Sequence, residues 1–198
     1  MKRKLIVASK NDGKIKEIKK ILDGLPIEII SMKEAGIDPD IEENGADFEQ
    51  NAMLKAQAVY NLTSSMVIAD DSGLEIDFLN GAPGVFTSRF AGESTDQSEK
   101  NKKIIYLLKD IEPQYRKARF VCSIAFVSEK IKFTVTGSVE GQISEKPEGY
   151  NGFGYDPIFY VPEYAKTFAE LTENVKNQIS HRADALHKLR KKLDNIFS

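Results

Sequence analysis

A chain of 198 residues can bury a substantial core, either as one domain or as two lobes sharing a sheet. Its 41% hydrophobic and 29% charged content is ordinary for a soluble globular protein. A net charge of −2 gives no electrostatic case for a nucleic-acid or anionic-membrane partner.

The chain opens on a basic tetrapeptide and then a buried strand over 5–8. That apolar run is too short for the core of a signal peptide, and no stretch approaches the roughly 20 apolar residues that span a bilayer. A cytoplasmic protein is expected. Ser9, Lys10, Asn11, Asp12, Gly13 and Lys14 lead into a helix. Its apolar residues Ile15, Ile18, Ile21 and Leu22 recur at spacings of three and four, and either Asn11 or Asp12 can cap it. Leu25-Pro26 breaks the helix before a second strand over 27–30. An acidic connector follows, with Glu34, Asp38, Asp40, Glu42 and Glu43, and then a helix over about 47–62.

Met66, Val67, Ile68 and Ala69 read as a short buried strand that ends in an Asp70-Asp71-Ser72-Gly73 turn. Adjacent aspartates on an extended chain point to opposite faces, so only one faces a given site. Gly73 would permit a tight turn with N–H groups toward an anion. Residues 74–78 alternate as a half-exposed strand does, and 80–92 form a loop. Ser94 with Gln97 matches a capping box for a helix to about Lys109. Its lysines 100, 102 and 103, like Arg190, Lys191 and Lys192 near the end, read as solvated faces. Strands near 119–127 and 131–140 fit a hairpin, with the single cysteine, Cys122, as a buried structural thiol. A glycine-rich loop over 148–157 precedes a final helix with Ala183, Leu186, Leu189, Leu193 and Phe197 on one side. The order βαβαβ, then β-rich, then α, predicts a three-layer α/β protein with a mixed sheet.

Four polar stretches carry chemistry, each at an element boundary. In the first, a helix N-terminus after a strand is a ready anion site, and Lys14 opposes the helix dipole unless an anion is expected there. A plain capped helix is the rival reading. In the second, Glu42-Glu43 and Asp70-Asp71 supply the oxygen ligands that Mg²⁺ prefers, while a solvated acidic loop is the local alternative for the glutamates. Zinc spacing is absent. In the third, Gly152-Phe153-Gly154-Tyr155-Asp156-Pro157 offers two aromatics between glycines, a surface suited to a nucleobase. The alternative is a turn with its aromatics anchored in the core. The fourth joins Lys176 to Ser180-His181-Arg182, three cationic or proton-donating side chains within seven residues.

Taken in this order, Ser-x-Asn-x-x-Lys, Ala-Asp-Asp-Ser-Gly, Gly-Phe-Gly-Tyr-Asp-Pro and Ser-His-Arg resemble the inosine triphosphate pyrophosphatase (Ham1-like) family over essentially the whole chain. The resemblance implies one domain over 1–198, with two lobes that share a long, twisted mixed sheet and flank a central active-site cleft. It also implies Mg²⁺ dependence, a homodimer, and hydrolysis of dITP, ITP and XTP to monophosphate and pyrophosphate. By motif matching, Ser9, Lys10, Asn11, Asp12, Gly13 and Lys14 resemble the triphosphate-binding segment. Asp71 is similar to the proton acceptor and metal ligand, and Ser72 to a substrate contact. Glu42 resembles the other magnesium carboxylate, with adjacent Glu43 leaving that alignment open by one position. Lys55 matches a position near the phosphates. Phe153, Gly154, Tyr155, Asp156, Lys176, His181 and Arg182 resemble the base-binding set. The rival classes are an orthophosphate-releasing phosphatase, a nucleotide sensor that binds without turnover, and a nucleic-acid module.

Overall fold

A computed structural model describes residues 3–92 and 94–197. Seven strands form one mixed sheet in the order β2-β1-β3-β4-β5-β6-β7. They are β1 Arg3–Val7, β2 Ile27–Ser31, β3 Met66–Ile76, β4 Lys117–Val127, β5 Lys132–Ile143, β6 Phe159–Val161 and β7 Lys166–Thr167. Among the described residues five α-helices accompany them, α1 Asp12–Ile21, α2 Phe48–Thr63, α3 Gln97–Leu107, α4 Glu173–Ile179 and α5 His181–Phe197. β1 pairs in parallel with both β2 and β3, whereas β6 is antiparallel to β5 and β7.

The chain divides into two compact units. One takes the chain up to Asp71, Cys122–Gly137 and everything from Arg182 onward; the other takes Ser72–Val121 and Ser138–His181. In the first unit, alternation along each strand builds two cores. Leu5, Val7, Ile68, Ile124 and Phe126 pack with Ile18 of α1, with Leu22 just past its end, and with Leu186, Leu189 and Leu193 of α5. Ile6, Ala8, Val67, Ala69 and Ala125 pack instead with Ala52, Ala56 and Val59 of α2. Helices therefore cover both faces of these strands, as the three-layer reading requires. In the second unit, Ile104 and Leu108, at and beyond the end of α3, join Leu74, Ile76, Phe120 and Phe159 in a separate core.

The local signals resolve in detail. Asn11 caps α1, its side chain accepting from the Lys14 N–H at 3.1 Å. Asp47 caps α2 by accepting from the Gln50 N–H at 2.8 Å. Cys122 is fully buried, and burial pushes its thiol up to about 12, so it is an inert core group.

Three expectations are corrected. Asp70-Asp71-Ser72-Gly73 is not a turn: β3 runs unbroken through it for 11 residues. Gly73 thus belongs to the strand and offers no tight anion-binding loop. The cap of α3 is Asp96 and not Ser94, because the Asp96 carboxylate accepts from the Gln97 N–H at 2.7 Å. Lys100 is buried, with its ammonium on the Ser88 carbonyl, so that basic cluster is not wholly solvated. Arg190 is likewise engaged, donating at 2.5 and 2.7 Å to the carbonyls of Ile21 and Asp23, where α1 has ended.

Candidate active site

The unbroken strand explains how two adjacent carboxylates acquire different surroundings. Asp70 shares a face with Ile68, on the side covered by α1 and α5, while Asp71 shares a face with Ala69, on the side covered by α2.

Asp70 is 3% exposed and meets cations from both helices on its side. Lys14, in the first turn of α1, stands 2.8 Å from its Oδ2, and the Nε of Arg182, at the start of α5, stands 3.4 Å away. Arg182 also reaches Glu17 at 3.0 Å. Burial by itself pushes the Asp70 carboxyl up, but Lys14 and Arg182 outweigh it and hold the group well below the usual carboxylate range. Its Oδ1 is buried without a hydrogen-bond partner among the described residues.

The Asp70 ion pair leads to an expected result. Removing one member of a buried ion network leaves an uncompensated charge, which costs about 3–5 kcal/mol. Because Lys14 remains, Arg182→Ala should lower unfolding stability by about 3 kcal/mol, at the low end of that range. Chemical denaturation measures this, and a loss below about 1 kcal/mol, the range of surface pairs, would show that the network carries little.

Asp71 faces α2 and a different set. Lys55 lies 3.2 Å from its Oδ1 and 3.0 Å from Glu43 Oε2. Asn51, one turn earlier on α2, acts to lower the Asp71 carboxyl. Burial raises the Asp71 carboxyl above its ordinary value; Lys55 opposes the shift and the charge of Glu43 adds to it. Lys55 is itself largely buried, which acts to lower its pKa, but Asp71, Asp70 and Glu43 outweigh burial and keep it charged. Asn51 and Lys55 are four residues apart and so share one face of α2. Glu42, the glutamate the resemblance suggests, is exposed; Glu43 is the one beside the lysine of Asp71.

Two carboxylates sharing one cation, one of them raised by burial and by its neighbour's charge, fit Mg²⁺, which takes one or two carboxylates and completes its shell with water and phosphate oxygens. Among the described residues no group of three or more His, Cys, Asp or Glu side chains could enclose a metal, so the donor set does not fit a closed zinc site.

Of the remaining segment in this unit, Ser9 and Lys14 are half-buried, while Lys10, Asn11, Asp12 and Gly13 are exposed. Lys10 pairs at 2.6 Å with Asp38 on the surface.

The second unit gathers a different set. Phe153 is 45% exposed, whereas Tyr155 is 3% exposed and donates its hydroxyl to the Thr87 carbonyl at 2.9 Å. The expected pair of aromatic faces is therefore one face and one anchor. Asp156 is buried and folds the loop: its Oδ2 accepts from the Phe153 N–H at 2.8 Å and pairs with Lys176 at 2.5 Å. Gly152, at φ +76°, lies so close that a Cβ there would collide with the Asp156 carboxylate. The Lys176 ammonium also sits over the Phe153 ring at 4.6 Å. Gly154 receives the Asn101 amide on its carbonyl at 3.3 Å. His181 is buried and stacks on Phe120 at 4.8 Å. Ser72 is half-buried in β3.

Lys176 and the 153–156 loop are thus brought together, with His181 in the same unit. Arg182 is instead held in the first unit by Asp70 and Glu17. The resemblance places Arg182 in the base-binding set; its partners Asp70 and Glu17 are far away in sequence and carry no local signal.

Comparison with known proteins gives the family. The chain is 48% identical over 202 aligned positions to the dITP/XTP pyrophosphatase of Clostridium perfringens, covering 98% of this chain and 99% of that one. It is 50% identical over 194 positions to the dITP/XTP pyrophosphatase of Bacillus subtilis, covering 97% and 98%. Among solved structures, the Ham1 protein of Staphylococcus aureus is 40% identical with a TM-score of 0.91, over 98% of this chain and all of that one. A HAM1 protein from Coxiella burnetii has the same TM-score at 41% identity, over 98% and 99%. Residues 5–192 match the Ham1 family, and the chain belongs to it.

Proposed function

We propose that the chain is a Mg²⁺-dependent nucleoside triphosphate pyrophosphohydrolase. It converts dITP, ITP and XTP to the monophosphate and pyrophosphate, which removes deaminated purine nucleotides from the precursor pool. The observation that carries this reading is the Glu43–Lys55–Asp71 cluster, in a chain matched nearly end to end by relatives named dITP/XTP pyrophosphatase. A homodimer in the cytoplasm is proposed with it. No helix among the described residues is long and apolar enough to cross a membrane.

The roles divide between the two sets. Ser9, Lys10, Asn11, Asp12, Gly13 and Lys14 are assigned to the triphosphate, because α1 begins there with its dipole favouring an anion. Lys55 joins them, and Ser72 is assigned a substrate contact. Asp71 and Glu43 would hold Mg²⁺, which when bound offsets the phosphate charge and orients the chain of phosphates. Asp71 accepts the proton of the attacking water; burial raises its basicity toward the working pH, as a general base needs. Lys14 and Lys55 meet the charge that develops on the departing pyrophosphate. Phe153, Gly154, Tyr155, Asp156, Lys176 and His181 are assigned to the base. Arg182, assigned to the base with them, also pairs with Asp70.

Phosphorus NMR of ITP turnover tests the reading. Pyrophosphate and IMP should accumulate in Mg²⁺, and a chelator should stop the reaction. Orthophosphate and IDP would instead make the protein a phosphatase of a different kind, and binding without turnover would make it a sensor.

A further inference from the structure

Selecting a base by its C6 oxygen needs donors held in place, and the 153–156 loop offers them from a tight turn. Phe153 to Asp156 form a β-turn closed by the Asp156 N–H, which donates to the Phe153 carbonyl at 3.2 Å. Gly154 has φ +64°, and Tyr155 has φ −87° and ψ 6°, the pattern of a type II′ turn. The closing bond of the turn does not hold its middle peptide, between Gly154 and Tyr155. Helix α3 does. Asn101, 5% exposed, donates its amide to the Gly154 carbonyl at 3.3 Å. Its Oδ1 accepts from the Gln97 side chain at 3.0 Å, one turn earlier on the same face of α3, which leaves the NH₂ end for Gly154.

A trans peptide is planar with its C=O and N–H opposed, so a carbonyl drawn to α3 turns the Tyr155 N–H away from that helix. Tyr155 is 3% exposed, and its N–H has no hydrogen-bond partner among the described residues. Buried N–H groups without a partner are rare in folded proteins, and a ligand oxygen would satisfy this one.

We propose that Asn101 is a positioning residue for base selection: by holding the Gly154 carbonyl it presents the Tyr155 N–H to the C6 oxygen of hypoxanthine or xanthine. The inference rests on the proposed substrate reading. Turning the same peptide over would put the carbonyl where the N–H stood, and an acceptor there suits the amino group of adenine instead.

Asn101→Leu keeps the volume and deletes the donor. The ITP/ATP ratio of kcat/KM should fall roughly tenfold, about the worth of one neutral hydrogen bond. The loss on ITP should appear in KM with kcat near wild type, because the base is remote from the anhydride that breaks. Gln97→Leu, which spares the Asn101 donor but frees its orientation, should lower the ratio by less. Equal losses for ITP and ATP in Asn101→Leu would overturn the role in favour of general support of the fold. If Asn101→Leu does not fold, an unchanged ratio in Gln97→Leu overturns it alone. An unchanged ratio in both variants of a protein that prefers ITP would remove the role of Asn101 and leave the substrate reading standing. Wild type that hydrolyses ATP as well as ITP would remove that reading, and this inference with it.

Discussion

ITP is expected to be hydrolysed roughly 10⁴-fold more efficiently than ATP, because a site built of hydrogen-bond donors leaves buried groups unpaired when it meets another donor. The C6 oxygen of hypoxanthine only accepts, whereas the amino group of adenine donates. Lys176 is the donor whose placement is best defined. Asp156 fixes its ammonium at 2.5 Å, and the Phe153 ring lies 4.6 Å below it, so the charge is held beside an exposed aromatic face. His181 and the backbone N–H groups of Gly154 and Tyr155 add to that set, those of Phe153 and Asp156 being bonded within the loop. Shape alone discriminates far less, about 10–200-fold for a methylene. GTP shares the C6 oxygen, so its exclusion must act through the 2-amino group and should respond to different variants. Lys176→Ala strands Asp156 as well as removing a donor, so the ITP/ATP ratio of kcat/KM, and not the absolute rate, is the informative quantity. The ratio should collapse toward unity. A wild-type enzyme that hydrolyses ATP as well as ITP, or a variant that keeps the full ratio, contradicts the donor-set account.

Asp71→Asn is expected to lower turnover by at least about a hundredfold, the low end of general-base contributions. The substitution keeps the shape and removes the carboxylate proposed as both proton acceptor and metal ligand. Asp70→Asn is the informative neighbour. Asp70 is locked between Lys14 and Arg182 on the opposite face of β3, so neutralising it should chiefly lower stability. Glu43→Gln should be more damaging than Glu42→Gln, because Glu43 shares Lys55 with Asp71. Steady-state kinetics with denaturation curves separates these outcomes. Near-wild-type turnover in Asp71→Asn would reject its role, and greater catalytic damage from Asp70→Asn would reverse the assignment of the two faces.

The sequence carried the architecture where local rules suffice. Apolar alternation in β1 and β3 and helical spacing in α1, α2 and α5 place the layers, and the opposite orientation of adjacent strand residues foretells the separate surroundings of Asp70 and Asp71. Polarity misled at β3: two aspartates, a serine and a glycine read as a turn, but β3 runs on through them in the sheet, and cations from α1, α2 and α5 pair with the two aspartates. The strands β6 and β7, of three and two residues, are too short to show a period. Lys100 looks solvated until the Ser88 carbonyl, twelve residues earlier, is brought to it. The site was legible as segments and not as partnerships. Lys55 on Glu43 and Asp71, and Arg182 on Asp70, are contacts between residues distant in sequence, which no spacing rule reports.

The division of labour between a phosphate set and a base set is the central claim, and the binding of ITP and of inosine to Lys55→Ala tests it most directly. With Lys55 assigned to the phosphates, the variant should bind ITP markedly more weakly while inosine binding stays near wild type. Added salt should weaken ITP binding to the wild type as well, to the extent that the lysine–phosphate pairs remain exposed. Equal losses for ITP and inosine would contradict the account, because they would take Lys55, and the carboxylates it holds, out of the phosphate site.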